Sequence, residues 1–104
     1  MITKMRGRDF VSLMDYSGEE LTTILETAFD FKKMLARGQE HEVLKGKTLG
    51  MLFTQPSTRT RISFETGMTQ LGGHAQYYTQ EGMQLKNKES WEDTGRIISR
   101  YITG

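Results

Sequence analysis

The chain has 104 residues, 36% of them hydrophobic and 26% charged, which is enough apolar material for one small domain with one core. Its 14 basic and 13 acidic residues leave a net charge of +1, so no overall positive field would recruit nucleic acid or an anionic membrane. Because the sequence lacks cysteine and any apolar run long enough for a signal peptide or a membrane span, disulfides are excluded and a cytoplasmic protein is expected.

The first predicted element is an amphipathic helix that begins after residue 17. Ser17 and Glu20 stand at capping-box spacing, and apolar residues then recur at helical intervals as far as Leu35, shortly before Gly38. Residues 39–47 are mostly polar and contain Gly46, so they predict a surface connection.

A strand, a helix and a second strand follow. Thr48–Phe53 (TLGMLF) is a nearly continuous apolar run, typical of a strand that is buried on both faces. Beyond Pro56, apolar residues lie mostly on one side of a predicted helix that stops at Gly72 and Gly73. The aromatic-rich stretch HAQYYT, residues 74–79, predicts the second strand.

The last predicted elements are a polar loop, residues 80–89, and a helix that Ser90 and Asp93 can cap and whose apolar residues run from Trp91 to Ile102. A crossover of about 20 residues between the strands predicts an α/β fold, a parallel sheet with flanking helices and a right-handed connection. Two parallel strands alone would leave both sheet edges unpaired, so we expect an incomplete domain.

The loops that follow the two strands, 54–60 and 80–89, must emerge at the same carboxyl edge of a parallel sheet. Open α/β sheets bind their ligands at this edge. The first loop contains STRTR, a cluster of hydroxyl groups and two arginines next to a predicted helix start. The sequence therefore indicates an anion-binding site at this position.

The chemistry of the first loop suits a phosphate. Pro56 prevents the helix from beginning earlier, and Ser57, Thr58 or Thr60 can be its N-cap. Unpaired N–H groups of a first helical turn attract anions, hydroxyl groups add donors, and Arg59 can clamp a phosphate through two hydrogen bonds. The same residues also describe an ordinary capped helix start, since no glycine-rich phosphate loop accompanies them.

The longer segment FTQPSTRTRISFETGMTQLGGHAQYY, continued by GMQLKNKESWEDTGRIISRY, resembles the amino-terminal part of the ornithine/aspartate carbamoyltransferase family. The resemblance covers nearly the whole chain and is closest to the ornithine branch, with putrescine carbamoyltransferase next. It implies that residues 1–104 are an incomplete carbamoyl-phosphate-binding domain and that the second, amino-acid-binding domain is absent. It implies neither a cofactor nor a metal.

The resemblance also implies roles for individual residues. Ser57, Thr58, Arg59 and Thr60 would bind carbamoyl phosphate, and Arg59 and Thr60 would be catalytic, by neutralising phosphate charge and by polarising the carbamoyl carbonyl. Gln84, in the second loop, would reach the carbamoyl phosphate of a neighbouring subunit.

The implied reaction transfers the carbamoyl group to an amine. Ornithine is the expected acceptor, giving citrulline and phosphate in arginine metabolism, and putrescine and aspartate are the alternative acceptors. A different alternative is that the chain is a non-catalytic phosphate-binding or assembly module. The whole protein is expected to be a homotrimer or a trimer-based oligomer. The 104-residue chain alone is expected to be inactive because the later family motifs are absent. Arg61, after the binding residues, is expected to form a structural salt bridge.

Overall fold

In a computed structural model, residues 5–79 and 90–104 are described. Their elements are α1 (Gly18–Ala36), β1 (Thr48–Phe53), α2 (Thr58–Gln70), β2 (His74–Thr79) and α3 (Trp91–Ile98), with a 3-10 turn at Leu13–Asp15. The chain divides into two compact units, Met1–Gln39 and Glu40–Gly104. Within the described ranges, no helix is both long and apolar enough to cross a membrane.

The unit Met1–Gln39 contains α1 and the segment before it. The predicted capping box is present: the Ser17 hydroxyl accepts a hydrogen bond from the Glu20 N–H at 3.1 Å, and the Glu20 carboxylate accepts one from the Ser17 N–H at 2.9 Å. Arg8 pairs with the same carboxylate at 2.5 Å and lies 4.2 Å from the centre of the Tyr16 ring. These contacts tie the preceding segment to the first turn of α1.

The unit Glu40–Gly104 is built on a parallel pair of strands, as predicted. The register runs from Thr48 opposite His74 to Phe53 opposite Thr79, so the two carboxyl ends lie at the same edge. Because side chains alternate across a sheet, Met51 shares a face with its register partner Tyr77. Helix α2 packs on that face, and the fold is a parallel sheet with flanking helices.

The small core lies between α2 and the sheet. Met51 is 5% exposed and Met68 of α2 is 9% exposed, whereas Leu52, on the opposite face of β1, is 36% exposed. The prediction that β1 is buried on both faces is therefore confirmed only for the face beneath α2, because the opposite face packs against Ile102 at Gly50 but leaves Leu52 exposed. The strand bounds themselves, Thr48–Phe53, are confirmed.

The end of the chain differs from the prediction. Helix α3 ends at Ile98, and hydrogen bonds at residues 99–102 form a turn where the apolar pattern predicts more helix. Beyond this turn the N–H groups of Thr103 and Gly104 bond to the Thr48 carbonyl at 3.0 and 3.2 Å, and the Gly50 N–H bonds to the Gly104 carbonyl at 2.7 Å. These bonds follow the pattern of a parallel ladder. The described sheet has two strands, as expected, and residues 103 and 104 pair with part of this edge of β1, at Thr48 and Gly50.

Candidate functional site

The STRTR segment begins α2 at the carboxyl edge of the sheet. β1 ends at Phe53 and α2 begins at Thr58, so the connecting loop comprises residues 54–57. The predicted loop, 54–60, is shortened because residues 58–60 already form the first helical turn. The predicted location of the segment, at the edge where parallel α/β sheets bind ligands, is confirmed.

Ser57 is the N-cap residue of α2 by position, but its side chain makes no capping hydrogen bond. Its hydroxyl instead donates to Oγ1 of Thr60 at 2.9 Å. The first bond of the helical ladder runs from the Arg61 N–H to the Ser57 carbonyl at 3.0 Å. The N–H groups of Thr58, Arg59 and Thr60 precede that bond, so they have no acceptor within the helix and lie at the positive end of its dipole.

The four predicted binding residues, Ser57, Thr58, Arg59 and Thr60, are all exposed. Among residues 5–79 and 90–104, the Arg59 guanidinium has no carboxylate partner, whereas the Arg59 carbonyl accepts a hydrogen bond from the Ser63 hydroxyl at 2.8 Å. This part of the chain therefore leaves the Arg59 charge uncompensated. A permanent positive charge beside three N–H groups without acceptors is suited to binding a phosphate.

Arg61, two residues further on, has a different environment. Its Nε donates to Oε1 of Glu65 at 2.7 Å, and its guanidinium carbon lies 3.9 Å from the centre of the Tyr77 ring. The hydrogen bond that Arg61 donates to Glu65 raises the pKa of Arg61 above its ordinary value. The predicted structural salt bridge is therefore present, and sequence spacing gave no sign of the added contact with Tyr77.

A depression of about 360 Å³ lies beside the start of α2. Its lining residues are Pro56, Ser57, Thr58, Arg61, Ile62 and Tyr77. Two of the predicted binding residues thus line a concave surface of the size that small ligands occupy, and Arg59 and Thr60 belong to the same helical turn. Gln84, the remaining predicted binding residue, lies outside the described residues.

Fold and site together define the class of this protein: an α/β domain of the carbamoyl-phosphate-binding type, with a Ser-Thr-Arg-Thr helix start at the carboxyl edge of a parallel sheet. Residues 8–104 match the family model described as "Aspartate/ornithine carbamoyltransferase, carbamoyl-P binding domain". The chain belongs to the aspartate/ornithine carbamoyltransferase family.

Individual relatives agree with this assignment. The ornithine carbamoyltransferase of Pyrococcus horikoshii is 50% identical over 102 residues, which are 98% of this chain and 32% of that enzyme. The structure of ornithine carbamoyltransferase from Pyrococcus furiosus has a TM-score of 0.89 at 50% identity, over 97% of this chain and 32% of its own. The catalytic subunit of M. jannaschii aspartate transcarbamoylase has a TM-score of 0.80 at 38% identity, over 89% and 31%. The chain thus spans about a third of the length of the relatives it matches.

Proposed function

We propose that this chain binds carbamoyl phosphate at the start of α2, through Ser57, Thr58, Arg59 and Thr60. The observation that carries the proposal is the helix start itself, where three N–H groups have no acceptor within the helix and the N-cap hydroxyl leaves them uncapped. Membership of a carbamoyl-phosphate-binding domain family supports the choice of this anion over other phosphates.

The proposed roles follow from the chemistry of each group. Arg59 neutralises the phosphate charge with a planar, bidentate guanidinium. The first-turn N–H groups and the hydroxyls of Ser57 and Thr58 bind phosphate oxygens. Thr60 donates a hydrogen bond to the carbamoyl oxygen, which gains negative charge as an amine attacks the carbamoyl carbon. Positioning and charge stabilisation suffice for this transfer, which needs no covalent enzyme intermediate.

We further propose that the whole protein is a carbamoyltransferase with ornithine as its amine acceptor, acting in arginine biosynthesis. The greater similarity to ornithine carbamoyltransferases than to the aspartate transcarbamoylase subunit supports ornithine over aspartate. Because this chain spans about a third of those relatives, we propose that the amine is bound by a second domain outside it. In this proposal the present chain alone binds the phosphate substrate without turnover.

Calorimetric titration of the chain with carbamoyl phosphate tests the binding site, with inorganic phosphate as a second probe. Arg59→Ala should weaken carbamoyl phosphate binding by about 2 kcal/mol, or about thirtyfold, because a charge-assisted clamp is lost. Arg96→Ala is a matched control, since Arg96 is an exposed arginine on α3 that lies 3.8 Å from Asp93. Equal affinity of the Arg59→Ala and Arg96→Ala chains would contradict the assignment.

We propose that Gln84 acts across a subunit interface of a homotrimer, in the active site of a neighbouring chain. In the whole protein, mixing equal amounts of Arg59→Ala and Gln84→Ala chains then creates some interfaces at which both residues are intact. If subunits assort randomly, about a quarter of the sites are intact in a closed ring. If Gln84 acts within its own chain, no intact site forms, so activity of the mixture that does not exceed that of the separate variants would contradict the proposal.

A further inference from the structure

Four side chains connect the first turns of α2 with the ends of both strands. The Arg61 guanidinium lies over the Tyr77 ring at 3.9 Å and donates to Glu65 at 2.7 Å. On the sheet, the Tyr77 ring meets the Phe53 ring edge-on, with 5.3 Å between centroids. Phe53 is the last residue of β1, directly before the loop that leads to the proposed binding residues.

The Tyr77 ring provides a fixed platform for this contact. Tyr77 is the register partner of Met51, which is 5% exposed and belongs to the core face of the sheet. Edge-on contact with Phe53 restricts the ring further, since aromatic pairs favour this geometry. A guanidinium that is stacked on such a ring and also bonded to Glu65 has little rotational freedom.

The position of Arg61 in the helix gives this contact a consequence for ligand binding. Its backbone N–H forms the first bond of the α2 ladder, to the Ser57 carbonyl. The turn that this bond closes carries the N–H groups of Thr58, Arg59 and Thr60. One residue therefore closes the turn through its main chain and holds it against β2 through its side chain.

The contacts of Arg61 distinguish it from a residue that binds an anion directly. Its charge is already paired with Glu65, and the two side chains are 46% and 40% exposed. An ion pair at that exposure adds little to folding stability. The guanidinium lies over the Tyr77 ring while its Nε donates to Glu65, and a lysine ammonium, which is a compact point charge, could not reproduce this combination.

We propose that Arg61 is a positioning residue, which stacks on Tyr77 and bonds to Glu65 to orient the first turn of α2 toward carbamoyl phosphate. This inference rests on the proposed function of that turn. It extends that function to a residue outside the four that are proposed to touch the ligand.

Affinity measurements test the proposal. Arg61→Lys keeps the charge but loses the planar guanidinium, and Tyr77→Leu removes the ring; each should weaken carbamoyl phosphate binding about fivefold. The double variant should be no weaker than the poorer single variant, because the two side chains act as a unit. Tyr77→Phe, which keeps the ring, should recover most of the affinity lost in Tyr77→Leu. Arg96→Lys on α3 is the matched control for changing an exposed arginine.

Amide NMR signals of the unliganded full chain provide a readout that does not depend on binding. In Arg61→Lys, the amides of Thr58, Arg59 and Thr60 should shift, and the amide of residue 61, which bonds to the Ser57 carbonyl, should exchange faster with solvent, while those of α1 stay unchanged. Unchanged first-turn amides, or a lower melting temperature with an unchanged dissociation constant, would overturn the proposal. Failure of the wild-type chain to bind carbamoyl phosphate would instead contradict the proposed function, and the amide signals would still decide the role of Arg61.

Discussion

The backbone N–H of Gly50 donates a 2.7 Å hydrogen bond to the carbonyl oxygen of Gly104, on the edge of β1 that faces away from β2. The segment that makes this bond also fills the space above Gly50. A Cβ atom at position 50 would lie 2.5 Å from Cδ1 of Ile102 and 3.3 Å from Cε2 of Tyr78. The close approach of residues 102–104 therefore explains why this apolar strand has a glycine at position 50.

Gly50→Ala should consequently destabilise the chain by about 1 kcal/mol, because the cost of overpacking exceeds the gain from a less flexible unfolded state. Ile102→Val removes the Cδ1 atom that the new methyl group would meet. The double variant should therefore be more stable than the sum of the two single changes predicts, by about 1 kcal/mol. Urea denaturation of the four proteins measures this coupling. Additive effects would show that Ile102 does not restrict position 50.

Gly72 and Gly67 should respond in opposite directions to the same substitution. Gly72 has φ +84°, and a Cβ there would lie 2.7 Å from Cβ and 3.2 Å from Cα of Glu42. Gly72→Ala should cost about 2 kcal/mol or more, since alanine disfavours this backbone region and part of the obstruction is main chain. Gly67 lies inside α2 with open space around it, so Gly67→Ala should stabilise by about 0.5–1 kcal/mol. Thermal unfolding measures the change in stability of each variant, and two changes of the same sign would contradict this prediction.

Much of the fold could be predicted because local patterns determine it. The capping box at Ser17, the apolar run of β1 and the glycines after α2 each act within a few residues, and the structure agrees with all three. The pairing of Thr103 with Thr48 joins residues 55 positions apart. No periodicity signals such a contact, so the apolar pattern up to Ile102 predicts helix where the structure has a turn.

The same distinction applies to the candidate site. Arg61 and Glu65 stand four positions apart in a helix, a spacing that favours an ion pair, and the pair is present. The contact between Arg61 and Tyr77 exists only because α2 packs on β2, and sequence spacing carries no sign of it. The side chain of Ser57 is a similar case, because residue type predicts a capping bond whereas the hydroxyl bonds to Thr60 instead.

Acid should release the segment before α1. The hydrogen bond from the Ser17 N–H, followed by that from Arg8, holds the pKa of Glu20 below its ordinary value of 4.5. A carboxyl group with a lowered folded-state pKa stabilises above its unfolded pKa, and this contribution is lost as pH falls through the folded pKa. The amide signals of Ser17 and Glu20 should therefore change together below pH 4.5.

Glu20→Gln removes the titrating group and should abolish this acid transition. Glu19→Gln changes a neighbouring carboxyl in the same helical turn and should leave it intact. A transition that persists in Glu20→Gln would assign the acid sensitivity to another group.

Ser57 and Ser17 occupy the same N-cap position in different helices, and their replacement by alanine should separate binding from stability. Ser17→Ala removes a capping bond and should cost about 1 kcal/mol of unfolding free energy without changing carbamoyl phosphate affinity. Ser57 makes no capping bond, so Ser57→Ala should cost less than about 0.5 kcal/mol, at the low end for cap replacement. It should nevertheless weaken carbamoyl phosphate binding severalfold, because a proposed phosphate donor is lost. Denaturation and calorimetric titration of both variants measure the two quantities. If Ser57→Ala lowers stability as much as Ser17→Ala does and leaves affinity unchanged, Ser57 is a helix cap and not a ligand for the phosphate.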